Sequence, residues 1–143
     1  MATLVIEGIE ALKAEVFDKI SPSPAELKAM VQSGVDAFVP IEKQTAEAFH
    51  HRLTGHMIQN IKGTFESEKV AYVYPQGTDS SKEGRHSPRH PVRNATKAFI
   101  ANYGREKQEA TRWVEISRNQ GEIPVTQSMQ KKFNEILKTK GLI

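Results

Sequence analysis

The chain contains no cysteine, which excludes disulfides, thiolate metal sites and cysteine nucleophiles. It also has little net charge: 20 Lys and Arg stand against 17 Asp and Glu, and the net charge of +3 is small for a dedicated nucleic-acid binder. No apolar run approaches the roughly 20 residues that span a bilayer, so we expect no membrane contact. Residues 1–7 lack the basic and apolar regions of a secretory signal, and we expect a cytoplasmic protein.

Sequence motifs of catalysis are also missing. The chain has no phosphate-binding glycine loop, no nucleophile elbow and no HExxH metal motif. His50, His51 and His56 are close in sequence but lack the spacing of a helical metal pair, and a Ser-Pro dipeptide separates His86 from His90. We therefore expect no catalytic residue, no metal and no cofactor.

The chain has the size and composition of one folded unit. Its 143 residues are 38% hydrophobic and 26% charged, with both signs mixed. That length supports a modest core, and mixed charge is typical of a solvated surface. We expect a single domain over residues 1–143 with a flexible loop at about 76–94.

The first third of the sequence predicts helices. Ser23, Pro24 and Glu26 form a start signal for one of them, with a cap, a first-turn proline and a capping-box acid. We expect Pro40 to kink or interrupt that helix, and a continuation to end near Leu53. An earlier helix is indicated by apolar residues at spacings of three and four: Ile9, Leu12, Val16 and Ile20.

The middle and the end of the chain predict a small sheet, a long loop and more helices. Residues 65–74 are rich in β-branched and aromatic residues and predict a strand. Asn94 is expected to cap a helix over 95–103, and residues 107–118 predict another. Gly121 and Pro124 predict a break, after which Thr126 is expected to cap a last helix. The predicted fold class is α+β: N-terminal helices, a small antiparallel sheet with a long mobile loop, and C-terminal helices.

Basic residues are concentrated in the predicted loop. Glu83 is the one acid among a run of cations, namely Lys82, Arg85, Arg89, Arg93 and Lys97. A second basic cluster lies near the C-terminal end and comprises Lys131, Lys132, Lys138 and Lys140. Either cluster can contact phosphate, so a small basic nucleic-acid-binding regulator is an alternative function.

Two short motifs stand out from this background. The first is Thr54-Gly55, where one helix ends and the next begins directly before the strand. The second runs from Asn102-Tyr103-Gly104 to Trp113. We expect Gly104 to end a helix in the left-handed conformation and Trp113 to anchor the following helix in the core.

In this order the motifs resemble a family of phage proteins. N-terminal helices, a Thr-Gly motif, a strand, a variable loop and then "NYG…KQ.A…W" are similar to the neck or tail-completion proteins of siphophages and prophages, which are also described as minor tail or minor capsid components. The segment Glu109-Ala110-Thr111-Arg112 departs from the family's usual Pro-Ala-Arg-Pro, which leaves the subfamily open.

The resemblance implies a structural role without catalysis. Such virion proteins form homo-oligomeric rings at the head–tail junction or tail end, bind other neck and tail proteins, and meet DNA only as it passes through the channel. An isolated subunit can stay monomeric until a partner ring is present. The protein would be in the host cytoplasm during assembly and then in the virion or phage-like particle. The loop cations Lys82, Arg85, Arg89 and Arg93 would fold onto a neighbouring subunit or line that channel.

Overall fold

Two long helices and two small antiparallel sheets make up most of the fold, which confirms the α+β prediction. The structure is a computed structural model that describes residues 18–49, 55–79 and 91–143. The helices are α1 (Pro24–Ala48), α2 (His56–Gln59), α3 (Asn94–Tyr103) and α4 (Trp113–Thr139), and the strands are β1 (Ile61–Phe65), β2 (Ala71–Pro75), β3 (Thr78–Asp79) and β4 (Val92–Arg93). Residues 18–20 are also helical and precede α1.

Helix α1 begins at the predicted cap. Ser23 Oγ accepts the Glu26 N–H at 3.2 Å, and Glu26 Oε2 accepts the Ser23 N–H at 3.2 Å, which completes a capping box. The expected interruption at Pro40 is wrong, because α1 continues to Ala48. Pro40 and Asp36 are both exposed, so the Asp36 carbonyl that loses its helical partner can be solvated instead. The predicted helix end at Leu53 lies outside the described residues.

Helices α1 and α4 pack as an antiparallel pair and form the largest contact in the described fold. The Ser33 and Ser128 hydroxyls lie 2.7 Å apart in the middle of the pair. At one end, Lys140 Nζ lies 2.9 Å from Glu26 Oε2. Because Glu26 lies in the first turn of α1 and Lys140 follows α4, the two helices align over most of their length.

A single helix α4 replaces the two segments that the sequence predicted. The expected break at Gly121 and Pro124 is wrong, and Thr126 lies inside the helix, where its Oγ1 donates to Glu122 O at 2.7 Å. Gly121 is a contact residue instead: a Cβ on it would lie 2.5 Å from Phe38 Cδ2. The glycine allows α1 and α4 to approach closely, and packing along α4 outweighs the low helix propensity of Gly and Pro.

A hairpin replaces the predicted strand over 65–74. Strand β1 pairs with β2 from Ile61↔Pro75 to Phe65↔Ala71. The chain reverses in the polar segment between the strands, where the Glu66 N–H donates to Val70 O at 2.9 Å. Ile61 is the first residue of β1 and is fully buried.

The second sheet lies inside the loop that was predicted at 76–94. Strands β3 and β4 pair from Thr78↔Arg93 to Asp79↔Val92. The predicted flexible loop is therefore too long at both ends, because residues 78–79 and 92–93 are strands. Its central residues 80–90 lie outside the described part of the chain. The Asn94 prediction is wrong by one residue, since Asn94 is the first residue of α3 and Arg93 occupies the cap position.

The core lies where α2, α3, β1 and the start of α4 meet α1. Its largest buried side chain is Trp113, and the other members of the cluster are Ala46, Met57, Ile58, Ile61, Ala98 and Ala101. None of the helices in the described ranges is long and apolar enough to cross a membrane.

Candidate functional site

Most of the residues of the second motif meet at one place, where α3 turns into α4. We call residues 98–117 the α3–α4 corner. Asn102 and Trp113 are buried within it, whereas Tyr103 is exposed. Between the helices, the Thr111 N–H donates to Ala101 O and the Arg112 N–H to Asn102 O, both at 3.1 Å, so the connecting chain is bonded to the end of α3.

Asn102 caps helix α4 from a distance in sequence. Its Oδ1 accepts the Val114 N–H at 3.0 Å, and its Nδ2 donates to Glu115 Oε1 at 3.3 Å. The residue at the local cap position, Arg112, makes no side-chain capping bond. Asn102 therefore supplies the acceptor that the first turn of α4 needs and fixes the angle between α3 and α4.

Gly104 ends α3 as predicted, with a detail that differs. Its φ is positive at 79°, but its ψ of −179° lies outside the left-handed helical region that we expected. Its N–H donates to Ile100 O at 2.7 Å. A Cβ at this position would lie 2.6 Å from Gln108 O and 2.9 Å from Ala110 N, so both the backbone conformation and the space require glycine.

Trp113 anchors α4 in the core, as the sequence predicted. Its side chain is fully buried, and its Nε1 donates to Ala98 O at 3.3 Å. The indole thus joins the first turn of α4 to the middle of α3 while its one polar atom is satisfied.

The corner presents two aromatic rings and a cation to solvent. Phe99 is 62% exposed and Tyr103 is 50% exposed, and their ring centroids are 4.7 Å apart. The Arg112 guanidinium lies over the Tyr103 ring at 4.9 Å from its centroid. We call Phe99, Tyr103 and Arg112 the aromatic surface. Tyr, Phe and Arg are enriched at protein–protein interfaces, and this surface is held by a well-bonded backbone.

The first motif is only partly described. Gly55 is the cap residue of α2 and has a φ of 73°, so it serves a turn that favours glycine. Thr54 lies outside the described residues. Gly55 precedes His56, whose Nδ1 lies 2.9 Å from Asn94 Nδ2. Gly55 therefore adjoins the start of α3 rather than the aromatic surface.

Of the predicted loop cations, only Arg93 can be placed. It is exposed at the end of β4, and Lys82, Arg85 and Arg89 lie outside the described residues. The base of the loop is well bonded: Asn94 Nδ2 donates to Gln76 O at 2.7 Å. The cation Lys97, which the sequence grouped with the loop, instead forms an ion pair with Asp79 at 2.5 Å.

The C-terminal basic cluster is partly neutralised in the structure. Lys132 Nζ lies 3.5 Å from Glu135 Oε2, and Lys140 is paired with Glu26. Asp36 and Glu135 line the same shallow depression as Lys131 and Lys132. This alternation of charges weakens the case for phosphate binding at this end of α4.

A groove of about 1250 Å³ lies on another side of α4, between α1, β2 and α4. We call it the α1–β2–α4 groove. Glu42 of α1 and Glu115 of α4 both line it, and each has a buried Oε2 atom without a hydrogen-bond partner among the described residues. Burial raises the pKa of Glu42 from 4.5 to about 7. The pKa of Glu115 is lowered by its own backbone N–H and by the hydrogen bonds from Asn102 and Arg112.

The described residues hold no group of three or more His and acidic side chains that is suited to a metal ion. The features that sequence reasoning missed are Phe99, Arg112 and Glu42. Phe99 and Tyr103 are four residues apart, which places them on one helical face, but only the fold shows that this face is open. Glu42 follows an apolar stretch like any surface acid, and nothing in the sequence marks it as buried.

Scans against protein families, curated proteins and solved structures return no match to this chain.

Proposed function

We propose that this chain is a structural protein of a phage or prophage head–tail junction, a neck or tail-completion component that assembles into a ring without catalysis. The observation that carries the proposal is the aromatic surface. Phe99 and Tyr103 are in contact with their rings tilted by 47°, both are solvent-exposed, and Arg112 lies against Tyr103. Large exposed aromatic side chains beside an arginine are the residues that dominate the binding energy of protein interfaces.

The α3–α4 corner supports this proposal because it positions the aromatic surface in advance. Asn102 caps α4, Trp113 fastens it to α3, and Gly104 permits the turn between the helices. A surface that is ordered before binding loses less conformational entropy on association. A ring forms when one surface of each subunit contacts a different surface of the next and the rotation closes.

The motif resemblance supplies the phage context for this assembly role. The same motif residues, Asn102 to Gly104 and Trp113, build the corner that carries the aromatic surface. A nucleic-acid-binding role has less support from the described residues, since Lys97, Lys132 and Lys140 are each paired with a carboxylate.

Disruption of the gene in the phage or prophage that carries it tests the proposal. We expect electron micrographs of induced lysates to show DNA-filled heads separate from free tails, and wild-type protein supplied in trans to restore joined particles. Normal numbers of intact virions from the disrupted strain would overturn the head–tail role. Retention of the purified protein on duplex DNA at physiological salt would favour the regulator instead.

A matched pair of variants tests the aromatic surface itself. A double variant, Phe99→Ser with Tyr103→Ser, should fold normally but fail to restore joined particles. Ile123→Ser is the control, because Ile123 is 67% exposed on α4 and lies outside the aromatic surface. Full restoration by the double variant would show that assembly does not use this surface.

A further inference from the structure

The α1–β2–α4 groove follows the outer edge of strand β2. Five consecutive hairpin residues, 69–73, line it, whereas no residue of β1 does. The aromatic surface is not part of it, since neither Phe99 nor Tyr103 lines the groove. The groove is therefore a second surface, separate from the one that carries the proposed assembly role.

The hydrogen-bond pattern of the hairpin shows which backbone groups face this groove. At one end the Glu66 N–H donates to Val70 O at 2.9 Å, and at the other the Gln76 N–H donates to Asn60 O at 2.8 Å. In an antiparallel pair, residues alternate between those that bond across the pair and those that do not. Every second residue of β2 therefore directs its N–H and C=O away from β1.

Ala71 and Val73 are the residues of β2 whose N–H and C=O groups point outward. In the described part of the chain, β2 pairs only with β1, and these outward groups form no hydrogen bond. Both residues are half-buried and line the groove. An open strand edge beside an apolar wall is the arrangement to which an extended peptide adds as a further strand.

Glu42 gives the groove a buried carboxylate that lacks a hydrogen-bond donor. The residue is only 3% exposed, and its Oε2 has no partner in the described ranges. On the opposite wall, Glu115 Oε2 is also buried and without a partner there. A buried carboxylate oxygen without a donor is costly, and a donor that arrives with a ligand removes that cost.

The other charged groups of the groove do not supply a hydrogen-bond donor to this oxygen of Glu42. Lys69 from the hairpin and Arg118 and Glu122 from α4 line the groove with Glu42 and Glu115, yet neither cation bonds to Glu42 Oε2. The walls between these charges are largely apolar and include Val31, Val35, Phe38, Val73, Val125 and Met129.

We infer that the groove binds an extended segment of a partner protein, which adds to the outer edge of β2 and inserts a basic side chain toward Glu42. The backbone of the segment bonds to Ala71 and Val73, and its apolar side chains pack on α1 and α4. The basic group donates to the carboxylate of Glu42. This inference goes beyond the head–tail role and does not depend on it, because it concerns the chemistry of a different surface.

We expect the affinity of the groove for this basic segment to depend on pH. Because the pKa of Glu42 is raised to about 7, its carboxyl is largely protonated at pH 6 and largely ionised at pH 8. A cation beside it favours the ionised form, so binding releases a proton below pH 7 and strengthens as the pH rises. The other charged groups that line the groove are Lys69, Glu115, Arg118 and Glu122, and the pKa of Glu115 is lowered rather than raised.

The affinity of the groove for a basic segment can be measured in solution with the full chain and a fluorescent peptide. The probe is an eight-residue peptide of alternating Val and Thr with one central Arg, and its control carries citrulline, which is neutral and of the same shape. At pH 8 we expect the Arg peptide to bind about tenfold tighter or more, as for a charge-assisted hydrogen bond. At pH 6 the preference should shrink to about threefold or less. Equal affinity for the two peptides at pH 8 would overturn the inference.

Two variants and a competitor sharpen the binding test. Glu42→Gln should abolish the preference for Arg over citrulline, whereas Glu122→Gln, on the exposed rim, should keep it. Persistence of the preference in Glu42→Gln would overturn the role of Glu42. Spermidine is the competitor: displacement of the peptide at equal concentration would mean a small-amine site and not a strand-addition site.

Amide hydrogen exchange tests the strand edge with an internal control. In the free protein we expect the Ala71 and Val73 amides to exchange quickly and those of Tyr72 and Tyr74, which bond to β1, to exchange slowly. Saturating Arg peptide should slow the first pair only. Protection of Ala71 and Val73 in the free protein would show that this chain or a second copy already covers the edge, and would overturn the inference. Unchanged exchange with peptide bound would do the same.

Discussion

The α3–α4 corner and the α1–β2–α4 groove lie on the same helix α4 but differ in how their polar groups are satisfied. In the corner, Asn102 uses both atoms of its amide, and the Trp113 indole N–H finds a carbonyl. In the groove, carboxylate oxygens and a strand edge lack partners within the described ranges. The first arrangement is complete as it stands, and the second is completed by a ligand.

Glu115 lies at the boundary between the two regions. Its Oε1 accepts from Asn102 and Arg112 in the corner, each at 3.3 Å, while its Oε2 is a groove atom without a partner in the described structure. One side chain thus takes part in both environments. The contrast teaches that rigidity and binding capacity can be divided between two faces of a single helix, and each face can be perturbed separately.

Removal of the indole is the largest perturbation of the corner. Trp113→Ala leaves a cavity where a fully buried side chain packed, and we expect the free energy of unfolding to fall by about 3–5 kcal/mol. Urea unfolding followed by circular dichroism measures this loss. The exposed control Ile123→Ala should stay within about 0.5 kcal/mol of wild type. A loss below about 1 kcal/mol for Trp113→Ala would contradict the central place of the indole.

In the groove, removal of the Glu42 carboxylate should raise the free energy of unfolding, whereas removal of the Trp113 indole should lower it. The pKa of Glu42 is about 7 in the folded chain against 4.5 ordinarily, so the folded state binds the extra proton and stability falls as the pH rises through this range. Glu42→Gln should therefore stabilise the fold by up to about 3 kcal/mol at pH 8 and have little effect at pH 4.5.

Parallel urea titrations at the two pH values measure this difference. Glu122→Gln, an exposed acid of the same groove, should show no such pH-dependent gain. The same small change for both variants at pH 8 would contradict the buried state of Glu42.

Gly104 offers a smaller test of the corner. A methyl group at this position meets Gln108 O and Ala110 N and also disfavours the positive φ, so Gly104→Ala should cost about 2–3 kcal/mol. Gly141→Ala is the matched control, since Gly141 also has a positive φ but nothing lies within 4 Å of its added Cβ. We expect about 1 kcal/mol there, and thermal melting of both variants separates steric from conformational cost. Equal losses would show that the corner relaxes around the methyl group.

Removal of the Asn102 side chain that caps α4 should give the smallest change in stability. Asn102→Ala removes the acceptor of the Val114 N–H, and we expect the free energy of unfolding to fall by about 1–2 kcal/mol. Asn119→Ala, at an exposed position of the same helix, should be nearly neutral. Faster amide exchange in the first turn of α4 would accompany the loss, and a variant as stable as wild type would show that water replaces the cap.

Local signals in the sequence predicted the features that depend on neighbouring residues. The Ser23 capping box, the helix-ending Gly104 and the buried Trp113 were read from residue type and spacing, and the structure confirms them. The α+β class followed from the change between helical spacing and a β-rich segment. The single-domain organisation and the assembly role stay predictions.

The failures occurred where packing between distant segments overrides local preference. Pro40, Gly121 and Pro124 are breakers in isolation, yet the long antiparallel contact of α1 with α4 keeps both helices continuous. The groove could not be predicted from the sequence for the same reason, because the burial of Glu42 arises from elements far apart in the chain. The hairpin was missed since the polar turn after Phe65 was read as part of a strand.

The pairing of β3 with β4 bears on how this protein can change over time. Asp79 faces Val92 across the pair, and the ion pair of Asp79 with Lys97 fixes the strands to α3, so the two ends of the intervening segment are held close together. The entropy of closing the intervening segment grows only slowly with length, by about 0.6 kcal/mol for each doubling. Loop closure therefore sets only a weak limit on the length of the segment between β3 and β4, so insertions, deletions and grafted sequences at this position carry a small entropic cost.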